Sequence, residues 1–393
     1  MKQLLHIAAF AAIILAVPSC VYPFEPDIKG EDSRLVVEGD IHVGSTSTFS
    51  FSRVYPLDSD DYTPPQLRIS GYIEGEDGMR VEQTGANDPY SPYYYSMYPS
   101  DMLYFDTTDL PAGQKYRLHF EDAGSGAVFE SDWLEVCPPP AIDDLTYILD
   151  WDREELNVAL SMHCNGRSHF RWHYTEEWEY HTDAYAHYYY DPELDGVFEF
   201  PVFENNYYCW NRYNSPNIKI FSTADQVEDR FVDLEFHRVS RSETRLQIMY
   251  HIIVYLEAME ENAYKYWENI RENSQGQGTI FSPTPSQMTG NIHCISDPSI
   301  PVIGYISAAM QASADMYYDN AEERFYKTPL PNKYEVLELS KDFAKYYYMG
   351  YAPLDILPSD NAPVYQWVPR RCVDCRLMGG TKNKPAGWPN EHR

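Results

Sequence analysis

The chain is poor in positive charge and, beyond its N-terminus, has no long apolar run. It contains 30 Lys and Arg residues against 60 Asp and Glu residues, which gives a formal net charge of −30. This charge repels nucleic acid, itself a dense polyanion, so we expect no nucleic-acid partner. The mean hydropathy is −0.52. Because the apolar stretch near the N-terminus is too short to cross a bilayer, we also expect no membrane-spanning helix.

Signatures of common catalytic sites are also missing from the sequence. There is no G-x-S-x-G elbow, no Walker loop and no H-E-x-x-H motif. The first candidates for a pair of glycosidase carboxylates are Glu176, Glu177 and Glu179, which flank Trp178. Acidic residues on the solvated side of a strand are the commoner explanation. We therefore predict a protein that is not an enzyme and has no cofactor.

Five histidines within a short stretch suggest a metal site at first sight: His163, His169, His173, His181 and His187. The dipeptide Asn165-Gly166 predicts a hairpin between strands 155–163 and 168–180. In that hairpin His169 and His173 share one face, because side chains alternate along a strand. Two ligands are too few for a structural zinc ion, which takes about four. We predict no metal site.

The first 20 residues have the layout of a bacterial lipoprotein signal. Lys2 is the only charged residue before an apolar stretch from Ala8 to Val17, and small residues lead to Cys20. This order is that of a secretory signal, and a cysteine at the cleavage point predicts lipidation. We therefore predict that residues 1–19 are removed and that Cys20 anchors the chain to a membrane. The mature chain is then one unit more negative than the full chain.

Six further cysteines predict disulfides, because an even number in an oxidising compartment is typical of a disulfide framework. They are Cys137, Cys164, Cys209, Cys294, Cys372 and Cys375. Six cysteines leave the connectivity open. The tail that carries Cys372 and Cys375 is rich in Gly and Pro, so we expect both to be oxidised, with one of them bonded to Cys294.

Short alternating strands predict a mainly β protein. Residues 20–33 read as a tether. Residues 34–137 contain strands about ten residues apart, including a hairpin between 115–122 and 127–136, and these favour an immunoglobulin-like sandwich.

Three consecutive prolines from Pro138 mark a hinge, after which residues 138–393 form a second β-rich domain. This domain contains an aromatic insertion at 181–216, one amphipathic helix at about 261–273, and a C-terminal tail held by cysteines.

Tyrosine is the abundant aromatic residue, with 35 copies. Two triplets lie in predicted loops, where clustered exposed aromatics mark a contact surface. We take them as candidates for ligand or partner contact: Tyr93, Tyr94, Tyr95, Tyr188, Tyr189 and Tyr190. Burial against the sandwich is the alternative explanation.

The order of several segments resembles one family, the Bacteroidota lipoproteins of domain-of-unknown-function family 4249. After the signal with Cys20, the segments are LVVEGDI (35–41), AIDDLTY (141–147), residues 266–294, VIGYISA (302–308) and the ending 372–390. Genes of this family usually lie beside a TonB-dependent outer-membrane receptor. The resemblance therefore implies an accessory role in nutrient capture, and it offers no catalytic residues.

We thus expect a non-enzymatic, lipid-anchored outer-membrane protein that works with a TonB-dependent receptor. The cell surface is the expected location, with the periplasmic face as the alternative. Two other functions stay open, namely a surface hydrolase of glycan or peptide and a structural or adhesive envelope lipoprotein. A hydrolase needs a concave site with paired titratable groups, whereas a docking module needs exposed aromatics without them.

Overall fold

The structure is a computed structural model. It describes residues 34–54, 67–84, 101–201, 204–215, 219–275, 290–328, 334–360 and 362–389. Cys20 and the first tyrosine triplet, Tyr93 to Tyr95, lie outside the described residues.

Strands dominate the described chain, which confirms the predicted mainly β class. The first nine are β1 Leu35–Gly39, β2 Ile41–His42, β3 Thr46–Arg53, β4 Ile69–Gly75, β5 Arg80–Glu82, β6 Met102–Asp106, β7 Lys115–Asp122, β8 Ala127–Ser131 and β9 Leu134–Cys137. The next nine are β10 Ala141–Asp150, β11 Glu155–His163, β12 His169–His181, β13 Tyr188–Asp191, β14 Gly196–Glu199, β15 Tyr208–Asn214, β16 Lys219–Ser222, β17 Arg230–Ser240 and β18 Met249–Met259. The rest are β19 Ile292–Cys294, β20 Val302–Ile303, β21 Ala308–Ala309, β22 Gln311–Asp319, β23 Leu337–Leu339, β24 Tyr351–Leu357 and β25 Val364–Pro369. The helices are α1 Glu261–Gln275, α2 Asn320–Glu323 and α3 Phe343–Tyr348.

The N-terminal strands form two sheets that pack face to face. One has the order β20-β1-β3-β6, and the other has the order β19-β8-β7-β9-β21-β2, with β4 beside β7 and β5 beside β4. Alternation along β3 turns Phe49 and Phe51 inward. The ring of Phe51 lies 4.9 Å from that of Phe120 on β7, so the two sheets share one core. This arrangement is compatible with the expected immunoglobulin-like sandwich. The predicted hairpin is present, with β7 and β8 paired antiparallel.

A later segment of the chain returns to complete this sandwich. Strand β19 pairs with β8, β20 pairs with β1, and β21 lies between β9 and β2. Ile306, between β20 and β21, is fully buried in the same core. The division at residue 137 stays a prediction, and the structure adds residues 292–309 to the N-terminal sheets.

A second pair of sheets contains the middle of the chain. One has the order β10-β11-β17, and the other has the order β15-β12-β18-β22, with β16 also beside β12. The predicted hairpin between β11 and β12 is wrong, although the turn exists, with positive φ at Asn165 and Gly166. Val158 of β11 and Phe170 of β12 belong to one buried core. The two strands therefore face each other across that core instead of pairing edge to edge.

The predicted helix is confirmed as α1, which begins at Glu261 and runs to Gln275. Its apolar spacing turns Ala263 and Tyr266 inward, and the ring of Tyr266 lies 5.3 Å from that of Tyr305. Across the described ranges, no helix combines the length and apolar character needed to span a membrane.

The last layer is a small three-stranded sheet, β23-β25-β24, beside the hairpin formed by β13 and β14. Trp367 of β25 is fully buried, and the ring of Phe343 on α3 stacks on it at 5.7 Å. This layer brings the aromatic insertion next to the C-terminal tail.

Candidate functional site

The second tyrosine triplet lies on strand β13 and not in a loop as predicted, and alternation puts Tyr189 on one face and Tyr188 and Tyr190 on the other. Tyr190 is 6% exposed, and its hydroxyl donates to Asp195 Oδ1 at 2.6 Å. This hydrogen bond raises the pKa of Tyr190 to about 12. Tyr188 and Tyr189 are half-buried. The expectation of three exposed rings is therefore wrong for Tyr190, because its side of the strand faces the buried Trp367.

The C-terminal tail is fixed beside this hairpin by one disulfide, between Cys209 of β15 and Cys375. The hydroxyl of Tyr180 also donates to the Cys375 carbonyl at 2.8 Å. Gly380 is required at this contact, because a Cβ there would lie 2.3 Å from the Tyr180 hydroxyl. The predicted oxidation of Cys375 is confirmed, and this anchor explains how a loop-rich tail keeps its position.

The other disulfide expectations are wrong. Cys372 and Cys294 are free thiols, as are Cys137 and Cys164, and all four are buried. Cys294 lies on β19 in the core of the N-terminal sandwich, whereas the tail packs against the second pair of sheets, so the two are not neighbours. Burial raises the pKa of the Cys137 thiol to about 11, which keeps it neutral at ordinary pH.

Between hairpin β13–β14 and the tail lies a cavity of about 550 Å³. Tyr188, Tyr189, Tyr190 and Phe200 line it on the hairpin side, and Tyr347 and Arg370 are among the other lining residues. The volume is within the range of about 300–1,000 Å³ that is typical of small-molecule sites. We call this cavity the aromatic cleft.

A second cavity of about 530 Å³ adjoins the aromatic cleft and shares Tyr347, Arg370 and Leu377 with it. Tyr348 also lines this second cavity and is 77% exposed. Large apolar groups therefore continue from the cleft onto the open surface. Of the six tyrosines predicted from the sequence, Tyr188, Tyr189 and Tyr190 line this cleft. Sequence reasoning missed Tyr347 and Arg370; the local signal for that part of the lining is the aromatic run at 346–348.

Arginine supplies the charge in this cleft. The guanidinium of Arg370 lies 4.0 Å above the ring of Tyr347, and its Nη2 donates to the Tyr347 carbonyl at 2.5 Å. Its Nε is buried and has no hydrogen-bond partner in the described part of the chain. Arg376 is neutralised instead, because its Nε and Nη2 donate to Asp374 at 2.8 and 2.7 Å.

The carboxylates considered for hydrolysis lie elsewhere, on β12, and all have partners. Glu176 is fully buried and accepts from Arg245 at 2.7 Å, Tyr250 at 2.8 Å and His237 at 2.9 Å. Burial raises the pKa of Glu176, but its hydrogen bond to His237 and its charged neighbours outweigh that and lower it overall.

Glu177 lies 3.3 Å from His251, and Glu179 accepts from Trp388 at 3.1 Å. Alternation along β12 puts Glu176 on the opposite face from these two. The three residues therefore do not face one another across a shared cleft.

The five histidines separate into unrelated environments. His163 lies 2.9 Å from Asp143, His169 stacks on Tyr264, His173 stacks on Tyr255, His181 stacks on Tyr207, and His187 lies 3.7 Å from Asp355. Within the described ranges, no three or more His, Cys, Asp or Glu side chains are grouped so that they would hold a metal ion.

A buried charge cluster that the sequence did not reveal joins the two sandwiches. Arg171 of β12 lies 2.6 Å from Asp40, which follows β1, and 2.5 Å from Glu257 of β18. His42 lies 2.9 Å from the other oxygen of Glu257, and Gln311 donates to that oxygen at 3.0 Å. Burial raises the pKa of Asp40, whereas Arg171 and His42 overcome the effect of burial at Glu257 and lower its pKa. In the sequence, the signal for this cluster was limited to charged residues at inward positions of alternating strands.

Comparison with known proteins places the chain in a family without assigning an activity. No curated protein matches it. The profile of one family, described as a domain of unknown function, matches residues 21–315 of the 393. The match includes hairpin β13–β14 and ends before the tail that forms the other wall of the aromatic cleft. Because most of the chain is matched, the protein belongs to the DUF4249 family.

Proposed function

We propose that the protein is a non-enzymatic, lipid-anchored outer-membrane lipoprotein of the Bacteroidota type that captures a ligand for a TonB-dependent receptor. The observation that carries the binding role is the aromatic cleft, in which tyrosine rings and an arginine line a cavity of small-molecule size. The signal that ends at Cys20 supports the anchor, and the resemblance of the ordered segments supports the receptor as partner.

The chemistry of the cleft favours binding over hydrolysis. Tyr and Arg are the residue types that concentrate binding energy at interfaces, because they combine large contact area with polar groups. Asp374 is a carboxylate in the lining, and Arg376 engages it through two hydrogen bonds. A glycosidase, by contrast, needs two carboxylates on either side of the scissile bond.

The lipid anchor puts the cleft at a membrane surface. The acidic body is repelled by anionic headgroups, so the lipid on Cys20 has to supply the membrane affinity. We propose that the body faces the outside of the cell, where the ligand is first met. Protease added to intact cells should then degrade the protein, and full protection in cells with an intact outer membrane would put it on the periplasmic face.

The partner is tested by purifying the tagged full-length protein from solubilised membranes. A receptor barrel should copurify with the wild type. Tyr189→Ala combined with Tyr348→Ala should reduce bound ligand or receptor at least tenfold, because aromatic side chains at a binding hot spot contribute about 2 kcal/mol or more each.

The matched control is Tyr213→Ala, on β15 and 41% exposed. It should leave binding unchanged, and all variants should keep the wild-type melting temperature within a few degrees. If the control and the cleft variant lose binding to the same extent, the aromatic cleft is not the binding site. Turnover of glycan or peptide by the purified wild type would contradict the non-enzymatic assignment.

A further inference from the structure

Arg370 is a charged group in the cleft, and it has no charged partner in the part of the chain that the structure describes. Guanidinium carries five N–H donors, of which the Tyr347 carbonyl accepts one. Across the described ranges, no carboxylate forms an ion pair with Arg370, and its buried Nε has no acceptor. A charged donor that is buried without an acceptor raises the free energy of the protein. A ligand with an acceptor group could form the hydrogen bond to Arg370 that the free protein does not make.

The sequence around Arg370 is basic, although the chain as a whole is acidic. Residues 364–389 hold five basic side chains and one acid, Asp374, against a net charge of −30 for the whole chain. Charges farther away than about 8–10 Å are largely screened at physiological salt. The nearby charges therefore decide which ligand enters. Those of the tail are mostly basic, whereas the hairpin side carries Asp195, whose carboxylate accepts from the Tyr190 hydroxyl. Arg370 is thus the lining group that attracts an anion.

The charge and shape of this group favour a carboxylate. Arginine presents a planar fork that matches a carboxylate through two parallel hydrogen bonds. Arg376, the second arginine of the cleft, is already occupied by Asp374. A single unpaired guanidinium matches one negative charge, whereas a phosphate group carries more than one at neutral pH.

The remaining lining defines the body of the ligand. The ring centroids of Tyr189 and Phe200 are 5.1 Å apart, and Tyr347, whose ring lies 5.0 Å from that of Tyr190, is a further aromatic residue of the lining. Rings prefer offset or edge contacts with other flat apolar groups. The lining thus suits a flat apolar body with its polar group directed at Arg370.

We propose that the aromatic cleft binds an organic carboxylate with a flat apolar body, and that Arg370 is the group that recognises the carboxylate. This inference rests on the proposed binding role of the cleft and adds the chemical class of the ligand. Tyr347 positions Arg370 through its carbonyl and its ring.

The test compares 2-naphthoate with neutral 2-naphthylmethanol, which has the same ring system without the charge. Titration calorimetry with the mature wild-type protein should show at least tenfold tighter binding of the carboxylate. Arg370→Gln should lose this preference while it still binds the alcohol. Arg238→Gln, an equal change of charge at an exposed arginine of β17, should behave as the wild type.

Equal affinity of the wild type for both compounds, no binding of either at millimolar concentration, or an unchanged preference in Arg370→Gln would overturn the assignment. If Arg370→Gln does not fold, the comparison of the two compounds on the wild type still decides. Copurification of a receptor is measured separately. If a receptor copurifies but the protein shows no preference for naphthoate, only this inference is contradicted. If the protein prefers naphthoate but no receptor copurifies, only the proposed partner is contradicted.

Discussion

Replacing Arg171 by methionine should destabilise the protein far more than loss of an exposed arginine. Its guanidinium lies between two carboxylates, Asp40 and Glu257, and all three side chains are at most 8% exposed. Methionine fills part of the same space without the charge. The variant therefore keeps two buried negative groups and removes the cation that holds them.

The magnitude follows from the type of pair that is broken. Removing one member of a buried ion pair costs about 3–5 kcal/mol, because the remaining charge stays buried without compensation. A loss of 1 kcal/mol lowers the melting temperature of a domain of 150–250 residues by about 2–4 °C. We expect a decrease of about 6–20 °C at pH 7. Because Asp40 belongs to one sandwich and Glu257 to the other, the variant should also unfold less cooperatively.

The dependence on pH separates the effect of charge from that of packing. Arg171 is the first of the groups that lower the pKa of Glu257 against burial. Without it, the buried carboxylates take up protons at higher pH than before, which relieves the uncompensated charge. The difference in melting temperature between the wild type and Arg171→Met should thus be smaller at pH 5 than at pH 8.

The assay is thermal unfolding followed by circular dichroism, with Arg238→Met as the control. Arg238 is 52% exposed, and exposed pairs contribute about 0–1 kcal/mol. The triple variant with Arg171→Met, Asp40→Asn and Glu257→Gln should recover part of the loss, since it removes every uncompensated charge. If Arg171→Met melts within 2 °C of the Arg238→Met control, the cluster does not stabilise the fold as we argue.

Three further outcomes are expected. Cys20→Ala should move the protein from the membrane to the soluble fraction, and a variant that lacks residues 1–19 yet stays with membranes would point to another anchor. Replacing Cys209 and Cys375 together by serine should cost about 2–5 kcal/mol in unfolding free energy, because the bond closes a loop with a sequence separation of 166; unchanged denaturant unfolding of the double variant would contradict this. His42→Gln should lose the most stability in acid. Burial lowers the pKa of His42, but its hydrogen bond to Glu257 and nearby acidic charges raise it overall. The stabilisation by protonated His42 is therefore complete below about pH 6.5 and disappears as the pH rises through the folded-state pKa. Stability curves of wild type and variant that run parallel between pH 5 and 9 would exclude that role.

Local patterns predicted the elements whose partners are close in sequence. The three-to-four spacing of Ala263, Tyr266 and Trp267 located α1, because a helix buries one stripe of its surface. The hairpin of β7 and β8 followed from a glycine-containing turn between two alternating runs. The same reasoning failed at Asn165-Gly166, where the turn formed but the flanking strands entered different sheets.

The candidate site was only half predictable. The aromatic insertion identified Tyr188, Tyr189 and Tyr190, all of which line the cleft. The burial of Tyr190 was not predictable, because it comes from contact with Trp367, which is distant in sequence. Arg370 was not singled out, because nothing local distinguishes an arginine over a tyrosine ring from one in solvent. The role of Arg370 depends on the cleft lining that hairpin β13–β14 provides, and this hairpin is distant from Arg370 in the sequence.

The sequence by itself determined the acidic character, the mainly β class and helix α1, because each follows from composition or from neighbouring residues. It also predicts the signal that ends at Cys20. Tertiary structure alone decided the bond between Cys209 and Cys375 and the charge cluster of Arg171. It also decided the meeting of hairpin β13–β14 with the tail. These contacts join residues that are far apart along the chain, and local propensity carries no information about which distant faces will be buried together.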